Sequence, residues 1–89
     1  MLKWKRLTWS HDEAEELLTS IDAASTNNCL KVASALSREF GQAGESLFLD
    51  WCKTAHNWNE SWALTTYRRA DPSRAGMGLL VTMARDGAL

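Results

Sequence analysis

Residues 45–62 read ESLFLDWCKTAHNWNESW and hold more aromatic side-chain area than any other stretch of the chain. Their apolar positions recur at steps of three and four, which predicts a helix with one buried face from about residue 45 to residue 56. A buried tryptophan or phenylalanine adds more area to a small core than an aliphatic side chain does. We therefore expect this helix to be the central one of a helical bundle. The apolar residues at this spacing are Leu47, Phe48, Trp51, Cys52, Ala55, Trp58 and Trp62.

Capping signals place two helices before the central one and two after it. Ser10 and Glu13 have the spacing of a capping box, which starts helix 1. Gly41 is placed to end helix 2. Asn59 can cap helix 4, and Gly87 ends helix 5. The residues expected to face the core from these four helices are Ala14, Leu17, Leu18, Ile21, Cys29, Val32, Ala33, Leu36, Phe40, Trp62, Ala63, Thr66, Tyr67, Ala70, Met77, Leu80, Val81 and Ala84.

The fold class predicted from these helices is all-α. A small five-helix bundle at residues 10–89 forms the single domain, and residues 1–9 form an irregular N-terminal arm. A chain of 89 residues can bury one core of this kind. No stretch approaches the roughly 20 apolar residues that a membrane span requires, so we expect a cytoplasmic protein with no membrane partner.

The residues that could carry chemistry do not form a recognisable catalytic or metal-binding motif. Cys29 and Cys52 lie on apolar faces without a CxxC pair, which favours reduced core thiols over a zinc site. The chain has no glycine-rich phosphate loop, no HExxH and no serine elbow. We therefore expect no cofactor, no metal and no enzymatic activity. The remaining enzyme hypothesis is a nucleotide hydrolase that uses Asp50.

Cationic residues concentrate in the second half of the chain. Ten basic residues oppose eleven acidic ones, for a formal net charge of −1, so any contact with nucleic acid has to be local. If the fold gathers these cations on one face, they can hold phosphates while Trp58 stacks on an unpaired base. The alternative is scattered solubilising charge with Trp58 in the core. The candidate nucleic-acid-binding residues are Lys53, Trp58, Arg68, Arg69, Arg74 and Arg85.

A second candidate surface is suited to a protein partner. The first turns of helix 1 are acidic, and two apolar residues of helix 5 lie off its core face. An acidic run is commonly only a solvated surface, and helix 5 can also be buried on two sides. The candidate partner-binding residues are Asp12, Glu15, Glu16, Leu79 and Met83.

From residue 17 onward, the order of features resembles the C-terminal helical domain, second type, of plasmid and phage DNA primases. The resemblance covers about four-fifths of the chain. It departs from the family pattern at Cys29, Cys52 and Tyr67, where tryptophan, serine and tryptophan respectively are usual. The residues that carry it are Leu17, Leu18, Ile21, Asp22, Lys31-Val32-Ala33, Ala35-Leu36, Phe40-Gly41, Gly44-Glu45-Ser46-Leu47-Phe48, Trp51, Trp58, Tyr67, Met77-Gly78, Leu80 and Met83-Ala84-Arg85-Asp86-Gly87.

This resemblance implies a helper element for primer synthesis in a mobile element. The catalytic acids of a primase belong to a polymerising domain that the 89 residues do not contain, so no catalytic residue is carried over. Two hypotheses follow. The first is a non-catalytic replication module that binds single-stranded DNA or a primase or helicase partner. The second is a small phage protein that occludes a host protein complex, such as a defence nuclease.

Overall fold

The computed structural model of the chain describes residues 9–88 and has an all-α fold. No residue within this range lies in a strand, which confirms the predicted fold class. The elements in chain order are α1 (His11–Leu18), α2 (Thr26–Phe40), a 3₁₀ turn (Gly41–Gly44), α3 (Glu45–Cys52), α4 (Glu60–Arg69) and α5 (Met77–Ala88). None of these helices is both long enough and apolar enough to cross a membrane.

The N-terminal end of α1 has the predicted capping box. The Ser10 hydroxyl accepts a hydrogen bond from the Glu13 amide, and the Glu13 carboxylate accepts one from the Ser10 amide. Two of the amides that a helix start leaves unpaired are thereby satisfied. The predicted arm falls outside the described residues except for Trp9, which is half-buried and whose amide donates to the Glu39 carboxylate at 3.1 Å.

Helices α2 and α3 each pack against three other helices. Helix α2 contacts α3, α4 and α5, whereas α3 contacts α1, α2 and α4. All five residues of α2 from Val32 to Leu36 are buried. Such a continuous run requires neighbours on every side of the helix. The small side chains of Ala33, Ser34 and Ala35 permit this, because they let the neighbouring helices approach closely. Ser34, which the sequence pattern places on the polar side of the helix, is therefore buried.

Trp51 of α3 lies in the interior, as predicted, with 6% of its surface exposed. Its indole Nε1 donates to the carbonyl oxygens of Leu18 at 3.0 Å and Ile21 at 3.2 Å. Leu18 is the last residue of α1, and its carbonyl also accepts from the Ile21 amide at 3.1 Å, whereas Ile21 lies in the turn that follows the helix. Trp51 therefore fills the core and also binds the end of α1 to α3.

The turn between α2 and α3 depends on two glycines. Gly41 ends α2 with a φ of 61°, in the region that glycine adopts without strain. At Gly44, an added Cβ would overlap the Tyr67 hydroxyl and would lie 3.1 Å from the Leu36 carbonyl oxygen. The Tyr67 hydroxyl donates to the Gly41 carbonyl. Close approach at Gly44 thus brings the α2–α3 turn against α4.

Burial of Tyr67 predicts a loss of stability at alkaline pH. Burial, together with the negative charge of Glu45, raises the pKa of the Tyr67 hydroxyl to about 12, above its ordinary value of 10. A raised pKa means that the folded state favours the neutral phenol. Its contribution to stability is therefore complete below pH 10 and is lost as the pH rises towards 12.

The ultraviolet absorbance of phenolate measures this shift directly, because Tyr67 is the single tyrosine of the chain. We expect a titration midpoint about two pH units higher in the native protein than in urea. Equal midpoints in the two solvents would contradict the buried position of the hydroxyl.

Four details of the helices differ from the sequence-based predictions. Helix α5 continues through Gly87, which was expected to end it, to Ala88. Helix α3 ends at Cys52 rather than near residue 56, and residues 53–57 form turns. Trp62, at the start of α4, is exposed on 41% of its surface although its spacing suggested the core. Val81 of α5 is also exposed, whereas Met77, Leu80 and Ala84 are buried as predicted. The free thiols Cys29 and Cys52 are buried, in agreement with their predicted positions.

Candidate nucleic-acid interface

The exposed Trp62 follows from the way in which α4 packs. Ala63 and Tyr67, one helical turn apart, form the buried side of α4. Trp62 precedes Ala63 by one residue and so points about 100° away from that side. The side chain of Asn59 caps the helix by accepting from the Trp62 amide at 2.9 Å, which fixes the backbone from which the indole projects.

A groove of about 480 Å³ runs between α2 and α4 and is bordered by Trp62. Leu30 of α2, exposed on 51% of its surface, lines the same groove. Arg69 lies seven residues after Trp62, two turns further on the same side of α4, and Arg74 reaches the groove from the loop that follows. This α2–α4 groove therefore combines an apolar, aromatic surface with two guanidinium groups.

Asp71 reduces the positive charge of the groove. Its Oδ1 accepts hydrogen bonds from the Ser73 hydroxyl at 2.7 Å and the Ser73 amide at 3.0 Å, and its Oδ2 lies 4.0 Å from Arg74 Nε. The hydrogen bonds from Ser73, together with the attraction of Arg74, lower the pKa of the Asp71 carboxyl below its ordinary value. Asp71 is thus ionised at neutral pH and partly offsets Arg74, which leaves Arg69 as the main cation.

Arg68 projects away from this groove and is engaged by Glu45. Its Nε and Nη2 donate to the two carboxylate oxygens of Glu45 at 3.0 and 3.2 Å. The hydrogen bonds from Arg68 lower the pKa of Glu45, and the same pairing raises the pKa of Arg68. Adjacent residues on a helix point about 100° apart. Arg68 and Arg69 therefore do not act on one ligand surface, although they are consecutive in sequence.

Lys53 and Trp58 lie close to each other in the connection between α3 and α4. Trp58 is half-buried, and the Lys53 ammonium lies 6.0 Å from its ring centroid. Lys53 is also 3.7 Å from the Asp50 carboxylate. Trp58 and Trp62 line a shared pocket. Three of the six predicted nucleic-acid-binding residues, namely Trp58, Arg69 and Arg74, thus share a cavity with Trp62, and Lys53 lies beside Trp58.

The remaining predicted residues lie elsewhere. Arg85 is exposed in the last turn of α5 and does not line the α2–α4 groove. Asp12, Glu15 and Glu16 are exposed along α1. Leu79 and Met83 are half-buried and pack against the core, so they do not form a free apolar strip. Among residues 9–88, no three His, Cys, Asp or Glu side chains are grouped so as to hold a metal ion.

The sequence analysis assigned Trp62 to the core because of its spacing from Trp51 and Trp58, and it left Leu30 outside the core without assigning it to a site. A signal for the correct assignment was present in α4. The spacing Ala63, Tyr67, Ala70 forms a complete face without Trp62. In α2, the face Cys29, Val32, Ala33, Leu36 likewise leaves Leu30 outside.

The model of a family described as Primase C terminal 2 (PriCT-2) matches residues 14–84 of the chain. No curated protein and no solved structure gives a significant match.

Proposed function

The chain belongs to the Primase C terminal 2 family, and from that premise we propose that it is a non-catalytic accessory module of DNA replication that binds single-stranded template through the α2–α4 groove. The primase-associated family supports a role in replication. A plasmid or phage origin and a cytoplasmic location belong to the same proposal. The observation that carries it is the exposed Trp62 beside Arg69 and Arg74 in a single groove.

Single strands suit this groove better than duplex DNA does. An exposed aromatic ring provides a stacking surface for any unpaired base, and each such contact contributes about 1–3 kcal/mol. Two guanidinium groups at the end of the groove can contact about two phosphates. The net charge of −1 supplies no general attraction to DNA. Binding is therefore expected to depend on these few residues and only modestly on salt.

Charge reversal in the groove tests the proposal. We expect the double variant Arg69→Glu, Arg74→Glu to weaken binding of a fluorescent oligothymidylate by at least roughly tenfold in an anisotropy titration, because both phosphate contacts become repulsive. In a plot of the logarithm of the binding constant against the logarithm of the salt concentration, two phosphate contacts predict a slope of about −1.4. In the double variant, this slope should be close to zero. Arg85→Glu changes one charge outside the groove and should leave affinity nearly unchanged.

Asp71→Asn provides an opposite test within the same site. This change removes the carboxylate that opposes Arg74 while it keeps an oxygen able to accept from Ser73, so affinity should rise several-fold.

Trp62→Ala should weaken binding, and Trp62→Phe should largely restore it. Loss of affinity of equal size in R85E and R69E would indicate non-specific attraction and contradict the groove. If no single strand binds, capture of a purified primase or helicase through Leu30 and Trp62 would instead favour a protein partner.

A further inference from the structure

A second concavity, of about 180 Å³, is lined by Trp62 and adjoins the α2–α4 groove at this residue. It is enclosed by the turn that precedes α2, by the start of α2 and by the connection between α3 and α4. Trp62 lines both concavities. A ligand lying in the groove therefore needs only to pass the indole edge in order to enter this tryptophan pocket.

The walls and the mouth of the tryptophan pocket differ in polarity. Trp58 and Trp62 supply aromatic surfaces, and Ala63 with the two thiols supplies buried apolar surface. Asn57 lines the pocket from an exposed position, and its Nδ2 donates to the Ala24 carbonyl at 3.3 Å. This hydrogen bond joins the two loops that border the pocket. The side-chain oxygen of Asn57 is an acceptor that a ligand can use.

The volume and chemistry of the pocket define the class of ligand. Pockets that accept drug-sized molecules measure about 300–1,000 Å³, so about 180 Å³ suits a single small ring system. Two tryptophans with an amide at the rim match a nucleobase, which has a flat apolar face and a polar edge. We propose that the tryptophan pocket binds one unstacked base of the single strand whose phosphates lie at Arg69 and Arg74. This inference rests on the proposed function and adds a base-binding subsite to it.

The two thiols make occupancy of the pocket measurable. Cys29 and Cys52 are the only cysteines of the chain, and both line this pocket. The Cys29 thiol donates to the Ala23 carbonyl at 3.2 Å. The hydrogen bond between the two thiols lowers the pKa of the Cys29 thiol and, together with burial, raises the pKa of the Cys52 thiol. Since the thiolate is the reactive form, Cys29 is the thiol that iodoacetamide modifies first, and its modification should slow when a base fills the pocket.

The experiment compares two oligomers that differ only in one base. One is an abasic deoxyribose-phosphate strand, and the other carries a single central thymine. We expect the thymine strand to bind about tenfold more tightly and to slow the reaction of the thiols with iodoacetamide, whereas the abasic strand should bind through the arginines without this protection. Ala24→Leu and Ala55→Leu, which fill the pocket, should abolish the advantage of thymine and leave abasic binding unchanged. Ala43→Leu adds the same side chain at an exposed position away from the pocket and should keep that advantage.

The outcomes separate the two proposals. A thymine preference that persists in Ala24→Leu and Ala55→Leu, with no protection of the thiols, would place the base on Trp62 in the groove and would overturn the base-binding pocket alone. Absence of binding to either strand and to oligothymidylate would overturn both proposals. Circular dichroism of each leucine variant establishes that it is folded, and if one pocket-filling variant unfolds, the other provides the comparison. In the unmodified chain, a preference for thymine together with protection of the thiols would itself support base binding in the tryptophan pocket, even if both leucine variants unfold.

Discussion

Replacement of Trp51 by alanine is expected to lower the free energy of unfolding by about 3–5 kcal/mol. The change removes the largest buried ring of α3 and leaves the carbonyls of Leu18 and Ile21 without their shared donor. Domains of this size are commonly stable by only about 5–15 kcal/mol. We therefore expect an alanine variant that is only marginally folded at room temperature.

Trp51→Phe separates packing from hydrogen bonding. Phenylalanine keeps most of the ring but lacks the indole N–H, so about 1–3 kcal/mol should be lost with the two hydrogen bonds, mainly because the Ile21 carbonyl loses its Trp51 donor while the Leu18 carbonyl still accepts from the Ile21 amide. Urea unfolding followed by far-ultraviolet circular dichroism measures both variants without depending on tryptophan emission. Trp62→Phe is the matched control at an exposed site and should stay within about 0.5 kcal/mol. A Trp51→Phe variant as stable as this control would show that the two hydrogen bonds contribute nothing.

Gly44→Ala is the second substitution with a large expected effect, about 1–3 kcal/mol of destabilisation. The added methyl group would overlap the Tyr67 hydroxyl and crowd the Leu36 carbonyl and the Phe40 Cβ, the latter at 3.2 Å. Neither the backbone of α2 nor a hydroxyl bonded to Gly41 can move freely. Equilibrium unfolding in urea measures the loss.

A double-mutant cycle locates the cause of this loss. Tyr67→Phe alone should cost about 0.5–1.5 kcal/mol through the lost hydrogen bond to Gly41. In combination with Gly44→Ala, the total should be about 1 kcal/mol smaller than the sum, because the overlapping hydroxyl is absent. Gly78→Ala is the control inside α5, where an added Cβ meets no atom within 4 Å. It should raise stability by about 0.5–1 kcal/mol. Full additivity of Gly44→Ala and Tyr67→Phe would contradict the predicted overlap.

Local signals predicted much of the fold from the sequence. The Ser10 and Glu13 capping box, the end of α2 at Gly41 and the Asn59 cap of α4 each depend on one or two residues and their own backbone, so tertiary context does not alter them. Burial of Trp51 also followed from its place among apolar neighbours. The predicted cap of α2 was wrong: Asn27 or Asn28 was expected to cap this helix, whereas the Ser25 hydroxyl caps it by accepting from the Asn28 amide.

Features that depend on which helices meet could not be predicted. The sequence pattern favoured α3 as the central helix because of its aromatic residues, and α3 does contact α1, α2 and α4; the pattern did not indicate that α2 contacts α3, α4 and α5 through small residues. Small side chains such as Ala33 and Ala35 carry little hydrophobic signal, yet they decide how close helices can come. For the same reason, the sequence predicted the cationic residues of the candidate site but not its exposed aromatic surface. The cations Arg69 and Arg74 were named from their position, but the aromatic surface beside them required knowing which side of α4 is buried.

The residues that carry the family resemblance are mostly those that build the core. Phe48 is fully buried and packs near the Trp51 and Tyr67 rings at centroid distances of 5.9 and 5.4 Å. At Gly87, an added Cβ would overlap the Ser20 carbonyl, so the end of α5 packs against the chain that follows α1. The motifs that carry the family resemblance do not include four residues that line the groove, namely Leu30, Trp62, Arg69 and Arg74. Family membership therefore defines the scaffold, and the ligand has to be sought in residues outside the motifs.

The buried run of α2 also determines how the groove can respond to a ligand. Its two walls, α2 and α4, share one core through Ala63 and Tyr67, so they cannot separate unless that core is broken. The entropic cost of binding then falls on the partner, and a preorganised surface of this kind favours a flexible polymer that can adjust its own torsions. Mutations that loosen the α2–α4 packing should accordingly weaken affinity even where they touch no residue of the groove.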